Sequence, residues 1–461
     1  MAPALIAQDP EDLMRLLGSA TDFALTNGLI VKSESGGAKC APFTLHPSCI
    51  PRLAYDRTRE LQPLLQKLTD LASRDPHFLL DALEDVAKVD DFTSRLLQIH
   101  RHVLEHGTTQ PKTLAIPRSD YMIQDDAKPV QLEYNTIAAS GSSLSALTTA
   151  LHTYLINIMT KPCKPKLPVN ESLDVVAEGL GQAWRLYGVA DAVVLMVVQP
   201  DEENVFDQRW IEYTLMRKFD NLRLLRRSLS EIHERASLST GSRLIIDNQE
   251  IAVTYFRAGY APSDYPTESE WKARLLIEES LSLKCPNIAH HLMGTKKVQQ
   301  VLAMPQVIER YLNLEEANLV RSCFVGLYPL DESEEGLDAI QKALKHPDRF
   351  VMKPSREGGG NNLFGPAIKA ALETLSLEER GAYILMDLVK PISQRNVMVR
   401  DGVAKLSTVV SEFGVFGIWL SEEETTHINV ARGHLLRTKS IESQEGGVFA
   451  GYAVFDSPCI G

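Results

Sequence analysis

The chain has 461 residues, 44% hydrophobic and 23% charged, a globular profile with room for two or three domains or one large core with an insertion. Its 48 Lys and Arg are outnumbered by 60 Asp and Glu, a net charge of −12 that repels phosphate backbones and sets nucleic-acid binding aside. No run approaches the ~20 apolar residues that span a bilayer, the start Met1–Met14 lacks the basic opening of a secretory leader, and six cysteines show neither Cys-x-x-Cys nor zinc spacing. The expectation is a cytoplasmic protein with reduced thiols and no membrane partner, although a leader removed beforehand leaves no trace in the sequence.

The elements follow in chain order. Asp9 and Pro10 open a helix whose face is Leu13, Leu17, Ala20 and Ala24, and Asn27-Gly28 stops it. Helical spacing recurs from Leu61 to Leu104, with breaks expected at Pro63 and at Asp75-Pro76. From Pro129, Val130, Leu132 and Tyr134 alternate with Gln131, Glu133 and Asn135, which predicts a strand. Helix returns from Leu144 to Ile158, and the proline-rich Lys161–Pro168 reads as a connector. Val193–Val198 is a buried strand. Phe206, Trp210, Ile211 and Leu215 keep helical spacing, and Leu244-Ile245-Ile246 turns through Asp247-Asn248 into Ile251–Phe256. This αβ unit ends near Gly294. Phe350–Lys353, Tyr383–Asp387 and Leu406–Leu420 are further strands.

Three segments carry chemistry. In Lys353-Pro-Ser-Arg-Glu357-Gly358-Gly359-Gly360-Asn361-Asn362-Leu-Phe364-Gly365, the glycines let backbone amides approach phosphate oxygens and Lys353 adds a positive charge. Glu357 with Asn361 or Asn362 supplies oxygen ligands for magnesium. A bare glycine triplet is more often a surface turn, and the pattern is neither a Walker motif nor a dinucleotide fingerprint. Glu133-x-Asn135 puts a carboxylate and an amide oxygen on one strand face, where one hard cation could share them, or where they simply meet solvent. Arg437-x-Lys439 pairs a carboxylate partner with a phosphate partner, ahead of the small-residue run Glu445–Gly451. Lys296 offers another phosphate contact, and Arg118 and Arg257 stand at the ends of strand-like runs. No His-Glu-x-x-His or Gly-x-Ser-x-Gly occurs.

Together, Arg118-Ser-Asp-Tyr-Met122, Asn204-Val-Phe-Asp-Gln208, Gly294-Thr-Lys-Lys-Val-Gln-Gln300, Arg356-Glu-Gly-Gly-Gly-Asn-Asn362 and His434-Leu-Leu-Arg-Thr-Lys439 resemble the eukaryotic-type glutathione synthetases over nearly the whole chain. The resemblance implies a mixed α/β ATP-grasp fold under a glycine-rich lid, and a homodimer that uses ATP and magnesium to join γ-glutamylcysteine to glycine through an acyl phosphate. It divides the chain into a helical and mixed part of the core (1–190), a substrate-binding αβ domain (191–295) and a C-terminal part (296–461). That last part holds the lid, near 350–412, and an acceptor-covering loop, near 441–453.

By motif, the resemblance makes Glu133, Asn135 and Glu357 the metal ligands. Met122, Glu133, Lys296, Lys353, Glu357, Gly358, Gly359, Gly360, Asn361 and Asn362 fall to the nucleotide, as do Phe364, Met386, Asp387, Val389, Glu412, Lys439 and Glu445. Arg118, Ala138, Ser140, Glu202, Asn204, Gln208, Arg257 and Tyr260 fall to the dipeptide. Arg437, Val448 and Phe449 fall to the acceptor and product, with Arg118 and Arg437 catalytic. The family pattern has serine at 138, phenylalanine at 141, aspartate at 258 and alanine at 449, where this chain has Ala138, Gly141, Ala258 and Phe449. A lost hydroxyl contact costs ~1.5–3 kcal/mol, a crowding benzyl group ~1–3 kcal/mol, and Ala258 is expected to leave Arg257 less firmly held. These departures keep two alternatives in view: the same ligase chemistry on a different dipeptide or amine, and a non-catalytic nucleotide-binding paralogue.

Overall fold

The computed structural model describes residues 10–159, 165–355, 361–444 and 446–461. Its framework is a long antiparallel hairpin, Val403–Glu422 with Thr425–Ser440, turning at Glu423 in the left-handed conformation (φ 49°). The strand outruns the Leu406–Leu420 stretch read from apolar residues, because its polar start is paired along Ser393–Arg400. Beyond that pairing, the same edge takes Arg118–Ile123 and then Lys112–Ala115. Arg118–Ile123 in turn pairs with Pro129–Asn135. On the hairpin's other side lies Ala453–Asp456, then Phe43–Thr44, which meets Ser393–Arg400 and closes the sheet on itself. Strands from both ends of the chain thus build one sheet.

Helix Arg52–Ser73 lies across this sheet and runs straight through Pro63, where a break was expected. A proline inside a helix costs about 3 kcal/mol. Burial of Leu61, Leu65 and Leu68, at roughly 1.5–3 kcal/mol each, outweighs that. Asn429 Nδ2 also donates to the Pro63 carbonyl at 3.1 Å, and Gln66 Nε2 to the Ile418 carbonyl at 3.0 Å. The chain does leave the helix before Asp75-Pro76, resuming as Phe78–Val89 and Asp91–His106. The first helix spans Pro10–Thr26, with Ala20 and Ala24 buried; Asp9 lies outside the described residues, as do residues 161–164 of the proline-rich connector.

A second sheet is parallel at its centre, with Val193–Val197 between Gln249–Phe256 and Leu224–Arg227 and with Leu283–Cys285 on the far side of Gln249–Phe256. Val193–Val197 is buried throughout, as a parallel strand covered on both faces must be. Leu244–Ile246 joins Gln249–Phe256 through Asp247 and Asn248, both at positive φ (49° and 63°), the geometry of a tight hairpin turn. A third, antiparallel sheet orders Leu327–Tyr328, Tyr383–Asp387, Phe350–Pro354 and Leu363–Phe364. It packs against helices Glu334–Lys345 and Pro366–Thr374 through Ile340, Phe350, Ile368 and Leu372. Among the described residues no helix is long and apolar enough to cross a membrane.

Candidate active site

A cavity of about 730 Å³ opens between the large sheet and the four-stranded one. Strand register fills it. Arg118 stands opposite Asn135, Asp120 opposite Glu133, Met122 opposite Glu412, Glu412 opposite Arg437, and Val410 opposite Lys439. Directly opposed residues project from the same face, so four strands deliver their charged side chains to one place. Gly414 lies opposite Asp120, and a Cβ there would sit 2.5 Å from Asp120 Oδ1 and 2.8 Å from Arg118 Cδ. Only glycine leaves room for that ion pair.

Asp120 is the hub. Arg118 grips both its oxygens, through Nε at 2.6 Å and Nη2 at 2.7 Å, while Nη1 of the same arginine donates to the Ser140 carbonyl at 3.0 Å. Asn135 Nδ2 donates to Asp120 Oδ2 at 2.9 Å and Arg437 Nη2 donates to it at 3.1 Å. Arg437 also contacts Glu412 closely. Burial raises the Glu412 carboxyl pKa in spite of that contact, with Asp120 and Glu133 adding to the rise. Burial acts on Glu133 too. There the surrounding charges of Lys296, Arg437, Lys353 and Arg118 prevail, and its pKa falls to about 2. Lys296 and Arg437 stand 3.9 Å from its oxygens.

Oxygens of Asp120, Glu133 and Glu412 lie within 4.8 Å of one another. With the Asn135 side-chain carbonyl they form a hard-oxygen donor set suited to magnesium. Asp120 is committed to two arginines, whereas Glu133 stays ionised without close hydrogen-bonded grip, which suits it to a ligand's role. Glu357 lies outside the described residues, as do Gly358, Gly359, Gly360 and Glu445.

Lys353 donates to the Leu132 carbonyl at 3.4 Å, and Lys439 to the Gln444 carbonyl at 2.7 Å, holding the loop after the hairpin over the opening. Met122, Leu132, Val351, Phe364, Met386 and Val389 add an apolar stretch to the lining of the same cavity. Asn362 and Asp387 also line the cavity, and Asp387 accepts a bond from Tyr328 at 3.3 Å. Ala138, Ser140 and Tyr260 form its other end, Ala138 at φ 51°, where an L-residue is strained.

Next to that end sits a second polar cluster. Asp207, wholly buried, accepts from the backbone N–H groups of Gly141 and Ser143 at 3.1 and 2.9 Å, from Ser143 Oγ at 2.6 Å and from Arg257 Nη1 at 3.2 Å. Burial works against the Arg257 charge, yet Tyr255, Asp207 and Glu202 raise its pKa. Glu202 Oε1 accepts from the Asn204 N–H at 2.9 Å and Gln208 Oε1 from Arg226 Nη2 at 2.6 Å. Buried Arg257 Nε, Arg226 Nη1 and Glu202 Oε2 have no hydrogen-bond partner among the described residues. Orphaned donors and acceptors at one spot are the mark of a polar ligand's place.

Comparison with known proteins establishes the family. The family model for the eukaryotic glutathione synthase ATP-binding domain matches residues 10–460. Human glutathione synthetase is 42% identical over 98% of both chains, and the Xenopus laevis enzyme 41% over the same share. The chain belongs to the eukaryotic glutathione synthetase family. The chloroplastic glutathione synthetase of Solanum lycopersicum is 40% identical over 97% of this chain and 85% of its own length. A glutathione synthetase-like effector from Globodera pallida, solved in its apo form, shares the fold with a TM-score of 0.80 at 24% identity, over 99% of this chain and 98% of that one. The mixed α/β architecture is of the ATP-grasp type.

Against the family pattern, the departures resolve individually. Gly141 has φ 80°, and a Cβ would meet Phe455 Cε1 at 3.2 Å, so the backbone here calls for glycine. Ala258 is buried, and the Arg257 beside it is held by Asp207, which accepts from its Nη1 at 3.2 Å. Phe449 is not part of the cavity lining. It is 45% exposed with its ring edge-on to Phe455 at 6.3 Å, so the crowding expected of its benzyl group is not met here. Val448, Glu202, Asn204, Gln208, Arg257 and Asn361 also stand outside the lining. Sequence reasoning passed over Asp120, Asp207 and Arg226. Alternation alone put Asp120 on the face of Arg118, a signal available from the start, whereas nothing in Leu224–Arg227 singled out Arg226.

Proposed function

We propose that this chain is an ATP- and magnesium-dependent ligase that joins γ-glutamylcysteine to glycine and forms glutathione. The observation that carries this reading is the cavity in which carboxylates, arginines and lysines from four strands converge beside an apolar stretch of lining. Kinship over nearly the whole length supports the same choice of substrates. In this reading the planar base lies against the apolar stretch that includes Met386 and Val389, and Lys296, Lys353 and Lys439 face the phosphates, with Asn361, Asn362, Phe364 and Asp387 around the nucleotide. Glu133 and Asn135, completed by Glu357, hold magnesium, which when bound neutralises phosphate charge.

The dipeptide is held by Arg257, Glu202, Asn204, Gln208, Ser140 and Tyr260. Its carboxylate oxygen attacks the γ-phosphorus, and the bond to ADP breaks. The glycine amine then attacks the acyl carbon of the mixed anhydride, loses a proton and expels phosphate. Arg118 and Arg437 stabilise the oxyanions of both steps in a site shielded from water. No protein nucleophile takes part. The working form is read as a cytoplasmic homodimer on kinship alone, and the three-part division at 190 and 295 belongs to the same reading.

ADP release, measured with γ-glutamylcysteine against a panel of amines and paired with mass analysis of the product, tests the proposal. Glycine-dependent ADP release with glutathione as product is expected. Turnover only with another amine overturns the acceptor, and ATP binding without turnover on any amine overturns the ligase reading.

A further inference from the structure

Two cysteines lie side by side where the two ends of the chain meet. Strand Pro458–Ile460 runs parallel to Ser48–Ile50, and Cys459 is directly opposite Cys49. Opposed residues project from the same face, so the two thiols are neighbours, and each shifts the other's pKa, Cys49 down and Cys459 up. Neighbouring strands run about 4.8 Å apart, inside the roughly 4.4–6.8 Å between Cα atoms that a disulfide spans. Both cysteines are free here. We propose that Cys49 and Cys459 form a reversible disulfide site, closed by exchange with a low-molecular-weight disulfide.

The neighbouring chemistry assigns the order of events. The neighbouring Cys459 thiol lowers the Cys49 pKa, outweighing burial and the nearby Asp456 carboxylate. Burial raises the pKa of Cys285, Cys323 and Cys40, whereas that of Cys49 is lowered, so among the described cysteines Cys49 is the one favoured to attack. Cys49 is also only half-buried. Its thiolate attacks one sulfur of the small disulfide, forming a mixed disulfide and releasing one small thiolate. The Cys459 sulfur, giving up its proton, then attacks the Cys49 sulfur and expels the second. Two protein thiols are oxidised, one small disulfide is reduced to two thiols, and no other oxidant is needed.

The bridge would close at a sensitive point. Ser48, adjacent to Cys49, donates to Asp456 Oδ2 at 2.6 Å, and the same oxygen accepts from Thr438 Oγ1 at 2.7 Å. Thr438 sits between Arg437 and Lys439 of the candidate site. The Cys49 N–H donates to Gln394 Oε1 at 2.9 Å, anchoring the attacking residue to the large sheet. A short two-stranded ribbon frays when held by backbone bonds alone. The disulfide fixes it covalently.

The test uses the purified full chain incubated with oxidised glutathione and does not depend on the ligase reading. Of the six thiols, two should be lost on titration in denaturant. Non-reducing peptide mapping should show one cross-linked species joining the peptides of Cys49 and Cys459. Dithiothreitol should restore both thiols, and the oxidised protein should melt roughly 4 °C higher than the reduced one. In Cys459→Ser the cross-link and the rise in melting temperature should both be absent. An unchanged thiol titre in the wild-type chain, a mixed disulfide that persists on Cys49, or a bridge to another cysteine overturns the proposal.

Discussion

The two polar clusters are built by different means. Around Asp120, rigid paired strands set the side chains by register, and Arg118 and Arg437 both bind the Asp120 carboxylate. Around Asp207, residues come from a helix, a strand end and a turn, and three buried polar atoms are left without partners among the described residues. The first cluster is pre-assembled and electrostatically closed. The second has contacts in reserve, which is where selectivity for an organic substrate is most readily built.

Substitutions should divide along that line. The largest effect belongs to Asp120→Asn. It removes the anion shared by Arg118 and Arg437 and should cost about 3–5 kcal/mol of stability, together with more than a hundredfold of turnover, read by denaturant unfolding and initial rates. Asp207→Asn should raise KM for the dipeptide about 10–100-fold while leaving KM for ATP unchanged. An equal rise in both would erase the distinction between the clusters. Glu133→Gln should raise the magnesium needed for half-maximal rate about tenfold, in a metal titration at fixed ATP.

Acid probes the framework behind the first cluster. Burial, with Arg59 adding to it, lowers the His434 pKa to about 3 from an unfolded value near 6.5. The unfolded chain therefore binds the proton first. Stability should fall as pH drops below about 6.5, by roughly 1.4 kcal/mol per pH unit from this group, until about pH 3. Unfolding midpoints across that range, compared with those of His434→Gln, measure it. The smallest effect is expected of Phe449→Ala: about 0.5–1.5 kcal/mol of ring packing with little change in turnover. A large gain in glycine-dependent rate would return Phe449 to the acceptor pocket.

Much of this was legible beforehand where periodicity and chemistry coincided. Glu133-x-Asn135 and Arg437-x-Lys439 were read as same-face pairs, and extended strands do carry them. Pro63 was misread because proline's local cost is visible in sequence, whereas the leucines that outweigh it gain their value only against a distant sheet. Asp207 and Arg226 stayed hidden for a related reason. Their role is to face Arg257 and Gln208 across the fold, and no local pattern encodes a partner that is 50 or 18 residues away.

Closure of the large sheet has a consequence for biosynthesis. Among the described residues Phe43–Thr44 pairs with Ser393–Arg400 and Ala453–Asp456, so the strand waits for the synthesis of those distant segments before it can be seated. Arg437 and Lys439 are made after Arg118, Glu133, Lys296 and Lys353, the cavity residues that they join. Contacts of such long sequence separation form slowly and leave early segments uncovered. Nascent chains halted short of residue 453 should therefore depend on chaperones and be open to proteases.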